Sequence, residues 1–117
     1  MHVNSIKIIS RNIEKSYTTF KVLVKNKNIE VKFTIHAIDR IKRWDIKENE
    51  VINALIFPDE VVIGHGKRFI AHKIKNSRII RTIYEYRDKI PFVITVYAPS
   101  KERYFQGGNK YADKILP

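Results

Sequence analysis

Cysteine is absent from the 117 residues, which excludes disulfides, zinc ribbons and thiol catalysis. Long apolar runs are absent too: nowhere do roughly 18 apolar residues follow one another, so no segment reads as a membrane span. The opening stretch, MHVNSIKIISRNIEKS, holds no apolar run long enough for a signal peptide or an anchor. The expected compartment is the cytoplasm. Glycine is scarce, with four residues, and Gly64-His65-Gly66 is too short for a phosphate loop or a dinucleotide fingerprint. Acids are few: 12 stand against 23 lysines and arginines, a formal charge of +11. A small domain this basic raises the local concentration of polyanions and speeds encounter with them. The basic residues are not gathered on one long amphipathic helix, which argues against a membrane surface. RNA is the expected partner.

A hydrophobic fraction of 44% is that of a globular chain, and the length fits one domain over residues 1–117. Residues 6–9 are a short strand or a helix edge. Tyr17, Phe20, Val22 and Val24, a polar break at Asn26-Lys27-Asn28, and Ile29, Val31, Phe33 and Ile35 read as a β-hairpin. At Thr34, an N-cap residue, the period changes. Ala37, Ile38, Ile41 and Trp44 share one face of a first helix, while His36, Arg40 and Arg43 share another. A second helix runs from about Lys47 to Phe57, and Pro58 ends it. Four strands follow: Val61–Gly64, Arg68–Ile74, Ile79–Tyr86 and Phe92–Ala98. The expected fold is α+β, with an N-terminal hairpin and two helices packed on a four-stranded antiparallel sheet.

Two constellations could carry chemistry. His36, Arg40 and Arg43 lie on the polar face of the first helix, His36 near the amide donors of its first turn. A solvated helix face is the plain alternative. The second constellation interleaves Arg78, Arg81, Tyr84, Tyr86 and Arg87 with Thr95 and Tyr97, followed by Arg103 and Tyr104. Aromatics can stack on splayed bases while cations hold phosphates. Arg81 among apolar residues needs a partner, and Glu85, two positions on along the same face of the strand, could pair with it. His65 and His72 have no close carboxylate at ligand spacing, so no metal is expected. Pro58-Asp59 with Ala71-His72-Lys73 resembles the pattern of metal-dependent restriction-type nucleases, but the second acid is missing. Metal-free RNA cleavage needs a base, an acid and cations around phosphorus, and those residue types are abundant.

From about Phe33 to Tyr104 the chain resembles the small prokaryotic family DUF4258. The resemblance rests on Phe33-Thr34-Ile35-His36-Ala37 with Arg40, Glu50-Val51, Ala54-Leu55, Pro58-Asp59, Arg78, Arg81 to Glu85, and Val93 to Tyr97. Residues 1–32 are an extension outside it. The family is similar in expected fold to the RelE and BrnT toxins, which implies a RelE-like fold, no cofactor, and metal-independent cleavage of mRNA, free or on the ribosome. It also implies an acidic antitoxin as partner. The pattern marks His36, Arg40, Arg81, Thr95 and Tyr97; Glu85, Arg103 and Tyr104 join them by position. His36 is then the general base or acid, with Arg40 and Arg81 on the phosphate and Tyr97 or Tyr104 stacking or sharing in proton transfer. Two other readings stay open: a non-catalytic RNA- or DNA-binding module, and an interaction domain for an acidic protein.

Overall fold

Lys25 and Asn26 both have positive φ (49° and 64°), as do Asp88 and Lys89 (52° and 67°). Paired left-handed residues make two-residue turns whose twist matches the strands they join, and each pair here closes a hairpin. The computed structural model describes residues 5–107 and 115, so both ends of the expected 1–117 domain lie outside it. In chain order the elements are β1 (Lys7–Ile13), β2 (Tyr17–Val24), β3 (Lys27–Thr34), α1 (Ile35–Arg43) and α2 (Glu48–Ile56). Then come β4 (Glu60–Ile63), β5 (Phe69–Lys75), β6 (Arg78–Arg87), β7 (Ile90–Tyr97) and the single turn α3 (Lys101–Tyr104).

The seven strands form one sheet in the order β1-β2-β3-β7-β6-β5-β4. This corrects the expectation of a RelE-like, four-stranded antiparallel sheet with a separate hairpin and two helices. The hairpin gains a third strand, β1, and joins the other four through a parallel pairing of β3 with β7 at Lys32↔Phe92 and Phe33↔Val93. Its alternating apolar residues need a covered face, and the sheet supplies one. The first hairpin turn also falls at Lys25-Asn26, so β3 begins at Lys27, inside the expected break.

Thr34 caps α1 as its sequence position implies. Its hydroxyl accepts from the Ala37 N–H (3.1 Å) and donates to the Ile94 carbonyl of β7 (2.9 Å), pinning the helix start to the sheet. The helix ends at Arg43. Asp45 turns left-handed (φ 54°), and the N–H groups of Asp45 and Ile46 bond back to Lys42 and Ile41, a standard way of satisfying terminal carbonyls. Trp44, expected on the buried face, is therefore carried past the helix and is 39% exposed. Ala37 and Ile41 from α1 and Val51, Ile52 and Leu55 from α2 pack on Phe20, Val31, Phe33, Ala71, Ile80, Tyr84, Val93 and Val96. Both helices thus cover one face of the sheet. No helix among the described residues is long and apolar enough to cross a membrane.

Candidate nucleic-acid interface

Residues directly opposite in an antiparallel pair share a face. Glu60 pairs with His72, His72 with Arg81, and Arg81 with Tyr97. Four adjacent strands therefore carry a single row, Glu60–His72–Arg81–Tyr97. The residues beside them, Val61, Ala71, Ile80 and Val96, belong to the core under α1 and α2, so the row lies on the opposite face, where α3 sets Tyr104 over Arg81. A bulge completes it. Ile83 opposes Thr95 while Tyr84 opposes Val93, which leaves Ile94 unopposed and reverses the parity of β7 beyond it.

Glu60 and His72 are both fully buried, and the His72 Nδ1 lies 2.6 Å from Glu60 Oε2. The Gln106 N–H donates to both carboxylate oxygens, at 3.1 and 2.8 Å. On the other side of the ring, Arg81 Nη1 lies 2.8 Å from His72 Nε2. A guanidinium can only donate. His72 Nε2 is thus the acceptor, and Nδ1 carries the proton that is donated to Glu60. The imidazole is neutral. Burial pushes the His72 pKa down and the Arg81 charge adds to this, while Glu60 opposes both. Burial also lowers the Arg81 pKa, against the neighbouring Tyr104 and Tyr97, yet an arginine stays charged at neutral pH. The Arg81 Cζ lies 4.2 Å from the centre of the Tyr104 ring. The guanidinium is thus fixed from below by Glu60 and His72 and flanked by two phenols.

Holding His72 neutral has a pH signature. Its folded pKa is depressed, so its contribution is complete above the ordinary histidine value of 6.5 and is lost as pH falls below that, because only the unfolded chain takes up the proton. Glu50 and Glu85, held low by Lys75 and Arg87 respectively, lose their contributions only below their ordinary 4.5. Urea unfolding between these two values is expected to show stability falling with pH in the wild type and a shallower fall in His72→Gln. An equal slope in the two proteins would contradict the neutral assignment.

The DUF4258 profile, described as a domain of unknown function, matches residues 33–98. The chain belongs to the DUF4258 family. No curated protein and no solved structure matches it, and nothing in these comparisons links it to the RelE superfamily. The family segment runs from the end of β3 to just past β7. It includes the whole row and leaves Arg103 and Tyr104 outside, while β1 and β2, from the N-terminal extension, are integral to the same sheet.

Of the residues singled out from sequence, the structure brings Arg81, Tyr97 and Tyr104 together, and Arg103 packs on the Tyr104 ring at 5.3 Å. Thr95 lies on the same face, two positions before Tyr97. It is buried and its hydroxyl has no hydrogen-bond partner among the described residues; leaving such a group unpaired costs about 1–3 kcal/mol. Glu85 pairs with Arg68 and Arg87, not with Arg81. Arg78 bonds the Ala98 carbonyl. His36 is exposed and meets Arg40 (Nε to Nε2, 3.4 Å), and Arg43 pairs with Asp39. Because α1 packs on the covered face, no described hydrogen bond or ion pair joins His36 to Arg81. Sequence reasoning missed Glu60 altogether and denied His72 a carboxylate. Even so, no three His, Cys, Asp or Glu side chains among the described residues form a group able to hold a metal.

Proposed function

We propose that this protein binds single-stranded RNA on the face of its sheet opposite α1 and α2 and cleaves it there without a metal. The observation that carries the reading is Arg81: a half-buried guanidinium whose hydrogen-bond partner is a neutral imidazole, leaving most of its donors for a phosphate. The formal charge of +11 draws the RNA in. In the reaction the ribose 2′-oxygen bonds to the adjacent phosphorus as the bond to the 5′-oxygen breaks. One of Tyr97 and Tyr104, acting as its phenolate, takes the 2′ proton and becomes the phenol; the other, acting as the phenol, gives its proton to the leaving 5′ oxygen; and Arg81 stabilises the charge on the pentacoordinate phosphorus. The stacking of Tyr104 on Arg81 favours a second reading, binding without cleavage, in which the ring holds the guanidinium and a base.

End-labelled RNA incubated in excess chelator separates the two readings. Cleavage predicts discrete products ending in 2′,3′-cyclic phosphate, lost in Arg81→Ala and kept in His36→Ala. A parallel reaction with ribosomes covers cleavage that needs them. Intact RNA in both reactions, with salt-sensitive affinity that Arg81→Ala removes, would establish the binding reading. Affinity unchanged in Arg81→Ala would overturn both.

A further inference from the structure

Arg81 accounts for one end of the face opposite α1 and α2. The other end carries aromatic rings beneath cations. Thr19 opposes Lys32, Lys32 opposes Phe92, and Phe92 opposes Glu85, which makes a second row across four strands. Tyr17 precedes Thr19 by two positions and so faces the same way. Its ring meets Phe92 edge-on, with centroids 5.8 Å apart. Lys32 Nζ lies 4.3 Å from the centre of the Tyr17 ring and 5.9 Å from that of Phe92, and Arg87 Cζ lies 4.5 Å from Phe92. Two acids reach these cations: Glu30 lies 3.7 Å from Lys32, and Glu85 lies 2.9 Å from Arg87. Neither carboxylate is buried with its partner, and the Arg87 side chain is 50% exposed, so both cations can turn to another anion.

The two rows are connected. Four residue steps along β6 take the strand from Arg81 to Glu85, roughly 13 Å at about 3.3 Å per residue. Between them lies the row of Ile83 and Thr95, with the unpaired Thr95 hydroxyl. Cations spaced along a path with aromatic rings between them suit single-stranded RNA, whose backbone follows the charge while its bases stack.

Resting on the reading of Arg81 as a phosphate ligand, we propose that Tyr17, Lys32, Phe92 and Arg87 form a second RNA subsite, a few nucleotides along the strand. A base stacks on Tyr17 in place of the Lys32 ammonium. Lys32 and Arg87 turn to the flanking phosphates, and Phe92 supports the Tyr17 ring. The protein therefore discriminates by length: RNA reaching both subsites binds more tightly than RNA filling the Arg81 subsite alone.

Fluorescence anisotropy with 2′-O-methyl RNA, which cannot undergo the cleavage step, tests this on the full chain with a trinucleotide and a dodecanucleotide. Tyr17→Leu and Arg87→Gln are each expected to weaken dodecanucleotide binding by about fivefold or more and to leave the trinucleotide unchanged. Arg81→Ala should weaken both. Unchanged dodecanucleotide affinity in Tyr17→Leu and Arg87→Gln overturns the subsite, as does equal loss at both lengths. If Tyr17→Leu lowers the melting temperature, the exposed Arg87→Gln decides. Arg81→Ala without effect, alongside length-selective loss in Tyr17→Leu, would remove the Arg81 reading and leave this subsite standing.

Discussion

Glu60→Ala is expected to lower the free energy of unfolding by about 2 to 6 kcal/mol, because two donors lose their acceptor at about 1–3 kcal/mol each. Three groups lose at once. The His72 Nδ1–H is left without its acceptor inside the sheet, the Gln106 N–H loses both carboxylate oxygens, and Arg81 loses the negative charge behind the imidazole. The double substitution Glu60→Leu/His72→Leu should cost less than the sum of the single ones, because neither polar group is then stranded. Urea titration above pH 7, where His72 is neutral in both states, checks this. A loss under 1 kcal/mol in Glu60→Ala would mean that the row is a surface feature with little hold on the fold.

Arg81→Ala should reduce the rate of RNA cleavage by a factor of about 100 to 1,000, the effect of removing one donor from developing negative charge. Arg81→Lys is the more telling variant. It restores the charge but not the planar fork, which here donates to His72 while stacking beside Tyr104. RNA affinity should return to within a few-fold of the wild type, and cleavage should remain depressed by about tenfold or more. Full recovery in Arg81→Lys would mean that only charge matters at this position. Melting curves belong beside the rates, since His72 Nε2 is left unpaired in Arg81→Ala, at a cost of about 1–3 kcal/mol.

Much of the row was legible in advance. Glu60 and His72 stand equally far from Gly66, and His72 and Arg81 stand equally far from the Asn76-Ser77 turn. Turns centred at Gly66 and at Asn76-Ser77 put three of the four residues opposite one another. Spacing along the chain hid this, because cross-strand partners are remote in sequence. Tyr97 was not legible in the same way. Counting from the Asp88-Lys89 turn puts Val96 opposite Arg81, and only the bulge at Ile94 brings Tyr97 there. The sheet's full extent was hidden for a related reason: β3 and β7 run parallel, share no turn, and pair at two positions. The first two helices and the Thr34 cap carry local signals and formed near where they were expected, whereas α3 was not anticipated and Trp44 fell outside its helix through the left-handed Asp45.

That same parallel junction divides the chain by the speed at which its contacts can be found. β1 to β3, and β4 to β7, are meanders whose partners lie a turn away, so each can pair by local search. Lys32 and Phe92 lie sixty residues apart, and closing so long a loop is slow. The central seam of the finished sheet is therefore the contact whose formation limits folding, although it carries the fewest ladder pairs. The face on which Lys32 and Arg81 stand together exists only after that step.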